Sequence, residues 1–117
     1  METFFMEPKF DVLFMEDARE FLANLDPKSR QKIIYNIDKA RILNNQELFK
    51  KLHGEIWEFR TLFNKTYYRL FAFWDTTDKK KTLVISTHGI IKKADKIPVT
   101  QIAKANQLMH QYFTNKL

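Results

Sequence analysis

The sequence contains no cysteine, only two glycines and three prolines, and no apolar run approaching the ~18 residues of a membrane span. The missing cysteine removes thiolate catalysis, disulfide frameworks and cysteine-based zinc clusters together. Two glycines are too few for a glycine-rich phosphate loop, and no nucleophile triad stands out. The start of the chain, Met1 to Phe10, interleaves Glu2, Glu7 and Pro8 with its apolar residues. It lacks the basic opening and apolar stretch of a secretory signal. The expectation is a soluble, cytoplasmic protein. Neither repeats nor low-complexity segments nor an internal linker divide the 117 residues, which fit one domain over 1–117. A domain of this size hides roughly two-thirds of the surface its unfolded chain exposes, so it can hold a core without metal or disulfides.

What the chain does have is positive charge, unevenly spread. Residues 1–49 carry seven Lys or Arg and nine acids, a net of −2, whereas residues 50–117 carry 13 bases and five acids, a net of +8. A basic half of this kind suits an anionic partner, nucleic acid first among them, or a solvated lysine surface.

The hydrophobic pattern divides the chain into elements. Lys9–Met15 is a short apolar run without clean alternation, which reads as a strand buried on both faces or at a sheet centre. Ala18, Phe21, Leu22 and Leu25 then fall at helical spacing, with Glu16 and Asp17 in the first turn. Asp26-Pro27 predicts the cap and first position of a second helix, running to about Leu43 and stopped by Asn44-Asn45. Its inward residues are Ile33, Ile34, Ile37 and Ala40. Gln46–Leu52 reads as one more short turn of helix. After Gly54 the period becomes two. Strands over 55–63 and 66–75 flank a tight turn at Asn64-Lys65, a polar turn covers 75–81, and a third strand covers 82–91. Pro98 ends the sheet. Val99, Ile102, Ala103, Met109 and Phe113 mark the inner face of a last helix, from Val99 to about Tyr112. The expected fold is α+β, with the order β-α-α-β-β-β-α. A small, twisted, mostly antiparallel sheet packs in two layers against an N-terminal helical hairpin and a C-terminal helix.

A two-residue turn at 64–65 sets Arg60 directly opposite Arg69 on one face of the hairpin. Opposed residues have Cβ atoms ~5 Å apart, and neither guanidinium can shed its charge. Something anionic belongs with them. Alternation places Glu58 on the same face, either as a structural carboxylate bracketed by two arginines or as the group that orients a phosphate clamp. Lys92 and Lys93 follow the third strand directly, and Lys96 lies close by. His53, His88 and His110 are too scattered for a metal site, and no acidic cluster joins them, so no metal and no cofactor is expected. His88 has titration chemistry suited to acid–base work, but its place before Gly89 fits a packed histidine better. Tyr68 and Trp74 share the face opposite Arg69 and are read as packing residues.

Three ordered segments resemble the RelE/ParE superfamily of type II toxins, in particular its phage-derived, HigB-like branch. They are Glu58-Phe59-Arg60, then Tyr68-Arg69-Leu70-Phe71-Ala72-Phe73, and last His88-Gly89-Ile90-Ile91-Lys92-Lys93 with Lys96-Ile97-Pro98, Ile102 and Ala103. The similarity covers about Leu52 to Tyr112. Ile90 stands where an aromatic is usual, Ile97 replaces a common threonine, and Gln101 replaces a common glutamate. The resemblance implies a ribosome-dependent mRNA endonuclease silenced by a helix-turn-helix antitoxin. In such a reaction the substrate's own 2′-OH is the nucleophile, so the protein needs no serine or cysteine. It must align that hydroxyl with the phosphate, neutralise charge on the phosphoryl oxygens and move two protons. Arg60 and Arg69 suit the charge role. Lys92 or Lys93 suits the proton role, with only one of them expected to reach the site because neighbouring strand residues face opposite ways. His88 is a minor acid–base candidate, and Lys50, Lys51, His53, Lys65 and Lys96 are candidate RNA contacts. Two other functions remain open: a ParE-like poison of DNA gyrase, and a non-catalytic module that binds nucleic acid or the antitoxin.

Overall fold

The computed structural model describes residues 7–79 and 82–116. Lys80 and Lys81 of the expected polar turn and residues 1–6 of the N-terminal segment lie outside the described residues. Among those described, the elements are β1 (Asp11–Phe14), α1 (Glu16–Ala23), α2 (Pro27–Ile42), β2 (Phe49–His53), β3 (Ile56–Phe63), β4 (Thr66–Asp75), β5 (Leu83–Lys92) and α3 (Val99–Lys116). The five strands form one sheet in the order β1-β5-β4-β3-β2. All neighbours are antiparallel except β1, which runs parallel to β5. The fold is α+β, as expected.

Local chemistry explains the boundaries. The Asp26 side chain accepts a hydrogen bond from the Ser29 N–H at 3.1 Å, and Pro27 opens α2 where its missing N–H is not needed. Asn64 and Lys65 both adopt left-handed backbone, φ 52° and 62°, which matches the twist of a two-residue hairpin. Gly54, at φ 57°, makes the corresponding reversal between β2 and β3.

Four expectations are corrected. Gln46–Leu52 is not helical, since Phe49–His53 pair with β3 as an edge strand. The lysines of this segment sit on a sheet edge, where charge discourages further strand pairing. The first strand is at the other edge rather than at the centre, and its residues alternate between exposed and half-buried. The helices do not share one face. Phe59, Leu70, Ala72 and Val84 pack with Ala18, Leu22, Ile33 and Ile37 of α1 and α2, whereas Ile56, Phe71, Phe73 and Ile85 pack with Ala105, Met109, Tyr112 and Phe113 of α3. The sheet is therefore the middle of three layers. Finally, Val99 and Ala103 point to solvent, and the inner stripe of α3 runs through Ile102, Ala105, Met109, Tyr112 and Phe113.

The far end of α3 is tied to the sheet by a carboxylate. Asp75 is 2% exposed and accepts hydrogen bonds from Thr77, from the Tyr112 hydroxyl at 2.6 Å and from Lys116 Nζ at 2.9 Å. Burial pushes its pKa up, but these donors outweigh it and hold the carboxyl well below the usual carboxylate range. This tie carries α3 past Tyr112, where the sequence pattern ends it.

Candidate functional site

The β3–β4 register is the one the turn implies, with Arg60 opposite Arg69 and Glu58 opposite Phe71. Glu58 is nearly buried between the two arginines. Its Oε1 lies 3.3 Å from Arg69 Nε, and its Oε2 lies 3.8 Å from Arg60 Nε. These are ion-pair distances without aligned hydrogen bonds: among the described residues, Glu58 Oε1 and Arg60 Nε have no hydrogen-bond partner. Arg69 is 3% exposed, donates from Nη1 to the Tyr68 carbonyl at 3.1 Å and lies 5.9 Å from the centre of the Tyr67 ring. Burial lowers its pKa below the ordinary arginine value; Glu58 opposes that shift and Arg60 adds to it. The Arg60 side chain is more open, at 30%.

A bulge in β5 decides which residues of that strand join them. Leu70 pairs with Gly89, but Ala72 pairs with Ser86, so Thr87 and His88 together face the single residue Phe71. The extra residue flips the rest of β5. Ile90 then opposes Arg69 and Lys92 opposes Tyr67, on the arginine face. Gly89 points the other way, and a Cβ there would overlap the Phe21 ring of α1.

Two cavities meet at the arginines. One, of about 300 Å³, is lined by Arg60, Tyr67, Arg69, Lys92, Lys93 and the stretch Ala94-Asp95. The other, of about 260 Å³, shares Arg60, Tyr67 and Arg69 and adds Glu47, Thr61 and Leu62. Both lysines reach the first cavity, contrary to the expectation of one, because the strand stops at Lys92 and alternation no longer constrains Lys93. Lys96 lines an adjoining, mostly aliphatic depression with Ile90, Ile91, Lys92 and Lys93. Lys50 opposes Glu58 and so shares its face, whereas Lys51 opposes Trp57 on the other. His53 sits at the far end of the β2–β3 hairpin and Lys65 in the β3–β4 turn, so neither lines the arginine cavities.

His88 is a packed histidine, the reading that its place before Gly89 favours. It is 2% exposed and lies over Phe71, with ring centroids 4.8 Å apart. Its Nδ1 is 2.9 Å from Thr87 Oγ1 and its Nε2 is 3.0 Å from Gln101 Oε1. Burial, with Lys104 adding to it, lowers its pKa to about 4, against the pull of the Gln101 bond. A proton on Nε2 satisfies both bonds, which makes His88 a neutral strut between β5 and α3. Gln101 is thus the α3 end of that strut. Tyr68 and Trp74 are packing residues, as expected, with the Tyr68 hydroxyl 3.2 Å from Ser29 Oγ.

The cavity residues that the pattern did not single out include Tyr67, Glu47 and Asp95. Tyr67 follows from the same alternation that placed Arg69, since residues two apart share a face. Glu47 carried no such signal, because it lies in the segment read as helix. Among the described residues, no group of three or more His, Asp or Glu side chains gathers as for a metal ion, and no helix is long and apolar enough to cross a membrane.

Residues 20–110 match the family described as Phage derived protein Gp49-like. The chain is a Gp49-like protein. Its fold is similar to that of a chain in the crystal structure of the toxin–antitoxin complex RelBE2 from Mycobacterium tuberculosis, with 20% sequence identity and a TM-score of 0.54. The similarity covers 74% of the Gp49-like chain and all of the other. No curated protein matches it. The matched segment of the Gp49-like chain contains every residue of both arginine cavities.

Proposed function

We propose that this protein is the toxin of a type II toxin–antitoxin pair, of the HigB-like branch, and that it acts in the cytoplasm as a metal-independent mRNA endonuclease at the ribosomal A site. The observation that carries the reading is the cavity in which Arg60 and Arg69, held by the buried Glu58, meet Lys92 and Lys93. Four cations around one small cavity suit a phosphodiester. The Gp49-like membership and the fold shared with a toxin–antitoxin complex support the antitoxin as partner. A helix-turn-helix antitoxin, the ribosome and mRNA complete the set.

The chemistry asks little of the protein beyond position and charge. With the message held so that a 2′-OH faces the next phosphate, the guanidinium groups receive the negative charge that grows on the phosphoryl oxygens. Glu58, within ion-pair distance of Arg69, supplies the counter-charge that keeps its guanidinium at the cavity. Arginines do not give up a proton near neutral pH, so proton transfer belongs to other side chains. Lys92 and Lys93 are the further cationic residues at the cavity. Lys50 and Lys96, on the flanks, suit the backbone of the message on either side.

The test is inducible expression in a bacterium, wild type beside Arg69→Ala, with mRNA ends mapped during growth arrest. Arrest with in-frame cuts in translated messages, relieved by Arg69→Ala, is the expected result. Arrest with intact messages and lost supercoiling activity would assign the protein to gyrase instead. Binding without cleavage or arrest would leave it a binding module.

A further inference from the structure

A third cavity, of about 350 Å³, lies along the free edge of β2. It is lined by Asn44, Gln46, Phe49, Lys50, Lys51 and Trp57, and shares no residue with the two arginine cavities. The loop after α2 serves both regions. Glu47 lines one arginine cavity, whereas its neighbour Gln46 lines this one. Lys50 and Lys51 belong to opposite faces of the sheet, yet both reach the cavity, because β2 is an edge strand and the cavity follows its edge.

Three kinds of group meet here. Trp57 is half-buried and held by other rings. Phe49 stacks with it at 4.9 Å between centroids, and Trp74 meets it edge-on at 5.7 Å. Such a ring is an immobile surface, so packing a ligand against it costs little side-chain entropy. Asn44 and Gln46 are exposed carboxamides, each with donors and an acceptor. Lys50 and Lys51 supply positive charge. Among the described residues, no carboxylate lines the cavity. The cavity between β1 and α2, by contrast, sets Asp11 and Asp38 against the single cation Arg41.

We infer that the β2-edge cavity binds one unpaired ribonucleotide, with its base against Trp57, the base edge on Asn44 and Gln46, and its phosphate on Lys50 and Lys51. An unpaired nucleotide needs these three things together: an aromatic surface, donors and acceptors for the base edge, and cations for the phosphate. This nucleotide lies outside the reacting pair, so the site supplies affinity and sequence context rather than chemistry. It takes the same polymer as the cleavage reading above, from the message or from ribosomal RNA, and its binding does not depend on cleavage.

Indole fluorescence gives a direct test, because the chain has only two tryptophans. In Trp74→Phe, Trp57 is the sole reporter. A short single-stranded oligoribonucleotide should quench it saturably, and inorganic phosphate, which carries charge without a base, should not. The wild-type protein, read on both indoles, should give the same midpoint. Gln46→Ala combined with Lys51→Ala should weaken that binding about 10-fold or more. Ribosomes then identify the source of the nucleotide. One abasic position in the message that weakens binding of wild type, but not of the double variant, assigns the base to the message. Weaker binding of the double variant to ribosomes without message, with no sensitive abasic position, assigns it to ribosomal RNA. An unquenched Trp57, a double variant that binds as tightly as wild type, or no effect in either ribosomal arm overturns the site while leaving cleavage untouched. Quenching by a protein that does not cleave overturns the cleavage reading and leaves the site standing.

Discussion

Asp75 ends β4, Glu58 lies on the neighbouring β3 opposite Phe71, and the two are almost equally buried. Their surroundings differ. Asp75 is covered by α3 and accepts four hydrogen bonds, from Thr77 twice, Tyr112 and Lys116. Glu58 lies opposite Phe71, touches two arginines, and keeps an oxygen without an aligned donor. The first arrangement spends one oxygen on the turn after β4 and the other on holding a helix. The second leaves charge and hydrogen-bonding capacity turned toward a cavity. Burial of a carboxylate therefore says little about its role. The completeness of its hydrogen bonding, and what its partners face, say more.

Removing each carboxylate should break the comparison in a different way. Glu58→Ala leaves Arg69 buried without a counter-charge, and a loss of roughly 3–5 kcal/mol of stability is expected in denaturant unfolding. Glu58→Gln keeps the volume and an acceptor oxygen and should lose less stability than Glu58→Ala, yet cleavage should fall because Arg69 loses its counter-charge at the cavity.

His88 belongs to the covered end and should show itself as pH dependence. Its folded pKa, about 4, lies below the value of about 6.5 for an unfolded histidine. The unfolded chain then binds the extra proton first. Stability is full above about 6.5 and falls toward 4 at up to about 1.4 kcal/mol per pH unit. Unfolding curves across that range should show this slope for wild type and lose it in His88→Gln.

Asp75→Asn should cost the least, about 1–3 kcal/mol, through donors left without their acceptor. Because the folded carboxyl is held below its unfolded value, the difference from wild type should be constant above about pH 4 and shrink as pH falls further. Cleavage by this variant at neutral pH should match wild type, since Asp75 lines neither arginine cavity.

Local rules made much of the cationic end legible. The Asn64-Lys65 turn forces the Arg60–Arg69 pairing, because a two-residue left-handed turn admits one register and alternation then brings Glu58 with them. Asp26-Pro27 likewise set the start of α2. The unread parts depended on tertiary partners. Phe49–His53, with two adjacent lysines, is a strand because β3 offers it an edge, not because of its own pattern. The β5 bulge at Thr87 and His88 leaves no composition signal, yet it turns Lys92 toward the arginines. Glu47 was hidden by the same misreading that hid β2. The inner face of α3 lies on Ala105, Met109, Tyr112 and Phe113, which pack against the sheet, and leaves Val99 78% exposed.

The most direct measurement is cleavage of a defined mRNA on purified ribosomes in the presence of a chelator, with the chemical ends of the products identified. The account predicts cuts only when ribosomes are present, 2′,3′-cyclic phosphate and 5′-hydroxyl ends, and a loss of roughly 100-fold or more in rate for Arg60→Ala and for Arg69→Ala. Cleavage that survives both substitutions, or none from the wild-type protein, would contradict it.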